Sequence, residues 1–298
     1  MYYKKYQKYY NLMLLPGVLL LLVFSYIPMF GIVIAFQKYI PTKGITGSKW
    51  IGLDNFKYMF SMSTSWQVFG NTISIAVTKI LIGLLLPIVV ALLINEVRNT
   101  YFKKSVQTVI YLPYFLSWVI LGTIFSTMFS GSGVVNSILG ALGIVQEPIL
   151  FMQSNRWFRS IIIGTDVWKS FGYNTIIYIS ALAAIDTAQY ESAVIDGANR
   201  WKLATKISLP SIKTTIILLA TLSLGNILNA GFEQILTMYN PIVYDAGDII
   251  DTVVYRMGLL EQQYGIATAM GLMKSLISCV LIIISYISAR KFANYTIF

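Results

Sequence analysis

Between Tyr9 and Gln37 the chain carries no charged side chain. No other feature restricts the fold as strongly. The run exceeds the roughly twenty apolar residues that take a helix across a bilayer. In hydrocarbon every backbone N–H and C=O must find its partner inside the structure, which leaves helices and closed barrels. The run is too long for a signal-peptide core and no A-x-A cleavage pattern follows it, so it is expected to remain as a membrane anchor. Six windows of this kind occur, at 12–36, 69–95, 106–130, 160–184, 212–232 and 267–289. None alternates polar and apolar residues as a barrel strand does. The expected fold is all-α, a polytopic membrane helical bundle of six transmembrane helices. Residues 1–298 are expected to form a single transmembrane domain with its core at about 69–290.

Composition agrees with lipid as the solvent. Hydrophobic residues make up 56% of the chain and charged residues 11%, where a soluble domain carries about a quarter. The net charge of +10 is not read as a nucleic-acid signal, because membrane proteins collect Lys and Arg at their cytoplasmic ends. A single cysteine, Cys279, and no histidine leave no disulfide framework and no zinc site of the usual kind, so no metal is expected.

The basic residues orient the chain. With Lys4, Lys5 and Lys8 in the cytoplasm, the inner segments also hold Arg98, Lys103, Lys104, Arg200, Lys202, Lys206, Lys213, Arg290 and Lys291. Both termini are then cytoplasmic. The outer segments hold Lys38, Lys43, Lys49, Lys57, Arg156, Arg159 and Arg256, so the first outer loop is more basic than the rule prefers. The outer stretch GSGVVNSILGALGIV spaces Val134, Ile138 and Leu142 as a short amphipathic helix. The last outer loop is acidic, with Glu233, Asp245, Asp248, Asp251 and Glu261. It lacks the ligand order of a calcium loop and reads either as a docking surface for an extracellular protein or as a solvated loop.

One inner loop gathers mixed charge, YESAVIDGANRWKLATKISLP at 190–210. Asp186 and Gln189 have capping-box spacing, so a helix is expected to start near Thr187. Ala188, Ala193 and Ala198 keep the surface open to close approach, and Gly197 is a natural helix stop. Pro210 is expected to bar upstream extension of the fifth spanning helix and to sit in its first turn. The loop is a rigid cytoplasmic knob.

Glu191, Ala193, Gly197, Ile207, Leu209 and Pro210 stand at the spacing E-A-A, three residues, G, nine residues, I-x-L-P. This resembles the coupling loop (the EAA motif) of importer-type ABC transporter permeases, with Ser192 in place of the second-position Ala. The stretches LLPGVLLLLVFSYIPMFGIVIAF, IGLDNFKYMF, GFEQILTMYNP and DTVVYRMGL extend the resemblance over nearly the whole chain, toward the LplB/YteP-type carbohydrate-uptake branch related to the maltose permeases. The resemblance implies the type I ABC importer permease fold with a cytoplasmic coupling helix, in a bacterial cytoplasmic membrane. It implies a heterodimer with a second permease, a dimer of cytoplasmic ATPases, an extracellular solute-binding lipoprotein and an oligosaccharide as cargo. Glu191, Ala193, Asp196, Gly197, Arg200, Ile207, Leu209 and Pro210 are the expected coupling residues. Arg200 and Lys202 read equally as partners for acidic residues across that joint or as topology markers.

The chain has no G-x-x-x-x-G-K-[ST] phosphate cradle. It is therefore expected not to be an enzyme, with ATP and magnesium held by the partner and no cofactor of its own. Polar residues inside the apolar windows mark the cargo path, because an ionisable group at membrane depth faces the bundle interior or a cavity. Asp166 and Lys169 lie three apart, a spacing that allows them to pair, and Tyr173 follows one turn beyond Lys169. The alternative places the pair at the outer interface with Lys169 snorkelling. Asn226 and Asn229 are expected on one face of the fifth helix, with Glu233 a turn later. Amides match adjacent sugar hydroxyls, while the other reading is interhelical hydrogen bonding. The resemblance points by position to Asp166, Tyr173, Asn226 and Asn229. Lys79 and Lys274 are read as topological or structural. Two further functions remain open: an importer of peptides, polyamines or another solute, and an ion-coupled carrier. The carrier should show inverted repeats with broken helices, and none is found.

Overall fold

The computed structural model describes the backbone from Tyr2 to Ala293 and the side chains from Tyr6 to Ile287; the side chains of Lys4, Lys5, Arg290 and Lys291 lie outside the described residues. The chain is helical almost throughout. Helix α1 (Tyr2–Leu21) continues through a π turn at Leu22–Tyr26 and a 3-10 stretch at Phe30–Phe36. A two-stranded antiparallel ribbon, β1 (Gln37–Lys38) and β2 (Lys49–Trp50), precedes α2 (Asp54–Ser61) and α3 (Ser63–Asn95). Then come α4 (Thr100–Tyr111), α5 (Trp118–Met128), α6 (Val134–Ala141), α7 (Asn155–Ala183) and α8 (Thr187–Ile195). Later in the chain are α9 (Arg200–Ser211), α10 (Lys213–Gly225), α11 (Phe232–Met238) and α12 (Tyr264–Ala293), with shorter helical pieces at Tyr244–Gly247 and Ile250–Tyr255 between the last two.

Among the described residues, Tyr6–Phe36, Ser63–Asn95 and Tyr264–Ile287 are unbroken and apolar enough to cross a membrane. The third and fifth expected windows differ from straight helices. In the third, α4 with its 3-10 extension Leu112–Phe115 meets α5 at 99°. Pro113 tightens the end of the first piece, Leu116 and Ser117 are extended, and the Ser117 hydroxyl accepts the Ile120 N–H at 3.3 Å to start the second. In the fifth, α9 and α10 meet at 58°. Pro210 does not begin a helix, as expected, but sits near the end of one. The turn before it, Ala204–Ser208, opens to π geometry, which makes room for a ring that would otherwise strike the carbonyl four residues back. The fourth window is filled by the continuous α7, which carries Arg156, Arg159, Asp166 and Lys169.

The chain divides into two compact units, residues 1–66 with 253–274 and residues 67–252 with 275–298. In the first, Phe36 stacks on Trp50 at 5.6 Å, and the Asn55 amide donates to the carbonyls of Ala35 and Gln37 at 2.8 and 3.0 Å. In the second, one core joins Ile75 and Ala76 of α3, Phe158, Ile161 and Ile162 of α7, and Ile235 and Met238 of α11. Another joins Ile88, Ala91, Tyr178, Leu182 and Ile212.

The outer stretch at 134–142 is helical as expected, and its Val134, Ile138 and Leu142 point away from the chain while Asn136 is buried against the carbonyls of Ser130 and Ile149. The acidic loop is not uniformly solvated. Asp248 is buried and accepts the Thr252 hydroxyl at 2.6 Å. Arg159, counted among the outer charges, donates to Asn71 at 2.6 Å and reaches the Ala246 carbonyl.

Candidate functional site

Lys79 is the centre of the polar interior. It lies on α3 within an apolar run and is 8% exposed. Its ammonium donates to the Ala230 carbonyl at 2.8 Å and to Gln234 Oε1, and lies 3.4 Å from Asp166 Oδ1. The Ala230 carbonyl is available because the backbone stops being helical between α10 and α11. Gly231 makes that break possible with φ +96°, and a Cβ there would stand 2.7 Å from the Lys79 ammonium. Gln234 then donates to the Ile162 carbonyl and the Thr165 hydroxyl, both at 2.8 Å. Two side chains thus tie α3, α7 and the break in the fifth span together. Of the two readings of Lys79, topological or structural, the structure supports the second, and Asp166 pairs with it rather than with Lys169. The pairing spans two helices, where the three-residue spacing had pointed along one.

Beside this network lies a cavity of about 240 Å³ lined by Lys79, Asp166, Ser170, Asn174, Asn226 and Asn229. Asn226 and Asn229 reach it by a different route from the one expected. Helix α10 ends at Gly225, so Asn226 is its C-cap, and the Asn229 N–H donates to the Asn226 carbonyl at 2.8 Å in the turn that follows. They share a turn instead of a helix face, because a Gly-Asn junction and Gly231 interrupt the helix. Both are accessible from the cavity. Such a chamber, with a carboxylate, three amides and the hydroxyls of Ser170 and Ser223, offers both donors and acceptors to a polyhydroxylated molecule. Glu233 is exposed in the first turn of α11 and does not line the cavity.

Tyr173 points to a second place. Its ring lies 3.9 Å from that of Tyr114 at 5°, with Phe115 edge-on to it at 6.4 Å. Lys169 is one turn away, its ammonium 5.7 Å from the Tyr114 ring and 5.0 Å from that of Trp118. Asp166 and Tyr173, taken together from the sequence, thus stand two turns apart on α7 and meet different partners, Lys79 and Tyr114.

The inner knob is built as two short helices around a tight turn. The Asp186 carboxylate accepts the Ala188 N–H at 3.0 Å and starts α8. Gly197 stops it with φ +79°, and the Ala198 N–H returns to the Ala193 carbonyl at 2.9 Å. Asn199 starts α9 by accepting the Lys202 N–H at 2.9 Å. Tyr190 and Ser208 share a hydrogen bond of 2.8 Å between the two helices, a brace the sequence reading did not find. Leu209 packs on the core of Ile88, Tyr178 and Ile212. Ala193 and Ile207 are half-buried, and Pro210 is exposed. Glu191 and Asp196 are exposed, and among the described residues neither pairs with a cation. Arg200 lies 3.9 Å from Glu96 at the end of α3, a solvent-exposed pair of small energy. Ile195 and Trp201 are 86% and 76% exposed. Trp201 was legible in the quoted loop but not singled out.

Residues 83–294 match the family described as binding-protein-dependent transport system inner membrane component. The sequence is 39% identical over 295 residues to Protein LplB of Bacillus subtilis (strain 168), covering 99% of this chain and 92% of that protein. It is 40% identical over 293 residues to the polygalacturonan/rhamnogalacturonan transport system permease protein YteP of the same organism, covering 98% and 91%. Among solved structures, a chain of a bacterial ABC transporter involved in the import of the acidic polysaccharide alginate superposes with a TM-score of 0.89 at 37% identity, over 97% of this chain and 98% of that one. A chain of the bacterial alginate ABC transporter in complex with an alginate pentasaccharide-bound periplasmic protein gives a TM-score of 0.89 at 36% identity, over 99% of both.

Proposed function

The chain belongs to the family of binding-protein-dependent transport system inner membrane components, and from that premise we propose that it forms, with a second permease, the membrane path of an oligosaccharide importer. It is a membrane permease subunit of an ABC importer with the fold of that class. The observation that carries the sugar reading is the polar cavity at the break in the fifth span, where Asp166, Ser170, Asn226 and Asn229 converge. The similarity to a polygalacturonan/rhamnogalacturonan permease and to an alginate importer favours a carbohydrate over a peptide, a polyamine or an ion-coupled cargo.

The energy is supplied from outside the chain, by a dimer of cytoplasmic ATPases that bind ATP and magnesium. Cargo arrives from an extracellular solute-binding lipoprotein, and both termini face the cytoplasm. Glu191, Ala193, Asp196, Gly197 and Arg200 present the knob to the ATPase, with Ile195 and Trp201 as its apolar contacts. Ile207, Leu209 and Pro210 connect the knob to the fifth span. Because Tyr190 and Ser208 brace α8 to α9, a displacement of the knob moves the helix that leads to the cavity. Closure of the ATPase dimer then rocks the bundle between inward- and outward-facing states.

The test replaces the two amides in the reconstituted complex. Asn226→Ala and Asn229→Ala each remove a neutral hydrogen bond of about 0.5–1.5 kcal/mol, so the half-saturating oligosaccharide concentration should rise a few-fold to about tenfold. Lower complex yield and thermal stability, with unchanged transport per folded complex, would make both residues structural and remove them from the path.

A further inference from the structure

We propose that Lys169, braced by Trp118 and Tyr114, takes the carboxylate of a uronate unit in the translocation path, so that the cargo is an acidic oligosaccharide. The inference rests on the reading of the chain as a sugar permease and adds the class of sugar. Lys169 stands 14 residues after the first residue of α7 and 14 before the last (169 − 155 and 183 − 169). At 1.5 Å per residue that is about 21 Å from either end. A lysine stem of ~6 Å reaches neither surface, so the ammonium must face protein or a watered cavity.

Its surroundings leave its charge unanswered. The carboxylate on the same helix, Asp166, is held by Lys79, and among the described residues no carboxylate or hydrogen-bond acceptor meets Lys169. Two ring faces hold it instead, at 5.0 and 5.7 Å. Cation–π contact attracts the ammonium but satisfies none of its three N–H donors. A half-buried ammonium of this kind keeps its N–H donors open to an arriving anion.

The adjoining surface has the shape for a sugar. Tyr114 and Tyr173 are stacked, Phe115 stands edge-on to both, and Phe115 is 74% exposed. Flat apolar faces match the C–H face of a pyranose, and an ammonium one turn away matches a carboxylate on that ring. The platform is held in place by Gly172. There α7 lies so close to α4 that a Cβ would strike the Ile110 carbonyl, and four residues on the chain reaches Tyr114. A neutral sugar would use the rings and leave the cation unpaired. A uronate uses both.

The experiment measures uptake into proteoliposomes by the complete transporter, with trigalacturonate and trimannuronate each compared with its methyl ester. The wild type should prefer at least one charged probe over its ester by about tenfold or more, the range of a hydrogen bond to a charged group. Lys169→Gln should reduce that preference about tenfold, and Lys169→Arg should keep most of it. Because one binding protein serves all variants, its own selectivity cancels from the change in ratio. Equal uptake of acid and ester by the wild type, uptake confined to neutral sugars, or an unaltered ratio in Lys169→Gln would each overturn the proposal. If Lys169→Gln fails to assemble, the wild-type ratio and the Lys169→Arg ratio still decide. Uptake of no sugar at all, acidic or neutral, would instead remove the sugar-permease reading beneath it.

Discussion

Replacing Lys79 with methionine should be among the most damaging single changes in the membrane interior. Methionine keeps the length and apolar stem of the side chain but not the ammonium. Three groups then lose their partner at once: the Asp166 carboxylate at 3.4 Å, the Ala230 carbonyl at 2.8 Å and Gln234 Oε1. Removing one member of a buried ion pair costs about 3–5 kcal/mol. Asp166 retains 27% exposure toward the cavity, so water recovers part of its solvation and the low end, about 3 kcal/mol, applies. At 2–4 °C per kcal/mol for a large domain, Lys79→Met should lower the melting temperature of the complex by about 6–12 °C. The double variant Lys79→Met with Asp166→Asn removes the stranded charge and should recover about half of the loss. Thermal unfolding of the purified complex by near-UV fluorescence reads both values. A Lys79→Met melting point within about 2 °C of wild type, or a double variant no better than the single one, would refute the pinning role assigned to this pair.

Two further outcomes follow from the backbone. A Cβ at Gly197 would meet nothing within 4 Å, so its only requirement is φ +79°; Gly197→Val should uncouple ATP hydrolysis from uptake while Gly197→Asn, which tolerates the left-handed region, keeps coupling within about threefold, and equal behaviour of the two variants in a coupled transport assay would remove the turn from the mechanism. On α7, Gly172→Ala drives a methyl into the Ile110 carbonyl, whereas Gly164→Ala meets nothing within 4 Å. The first should cost about 1–3 kcal/mol through overpacking and the second less than about 0.5 kcal/mol, a difference that melting of the two complexes measures directly.

What the sequence made legible was local. The knob could be read because its signals sit within a few residues of their consequences: Asp186 caps the helix it precedes, and Gly197 ends the helix it follows. The spanning windows could be read because hydropathy integrates over a whole crossing. Lys79 was visible as an anomaly in an apolar run, but its partner lies 87 positions away (166 − 79) on another helix, and no spacing rule reaches that far. Lys169 was the local candidate for Asp166, and the aromatic faces of the third span hold it instead.

The same averaging that found the spans concealed their breaks, and the breaks are where the polar chemistry lies. A window over 212–232 scores the apolar residues and passes over Gly225, Asn226, Asn229 and Gly231, which together end the helix and turn the chain. A window over 106–130 passes over Pro113 and Ser117 in the same way. Interrupted backbone at membrane depth leaves carbonyls that lipid cannot satisfy, so it is tolerated only against protein or around a watered cavity. The Ala230 carbonyl is such a group, and the Lys79 ammonium meets it. The break at 116–117 sets Trp118 beside Lys169 in a comparable way. A break in a span therefore selects for a polar side chain nearby, and that side chain in turn needs a cavity or an ion. Among the described residues the two bent spans, the buried Lys79 and the half-buried Lys169 belong to one physical requirement.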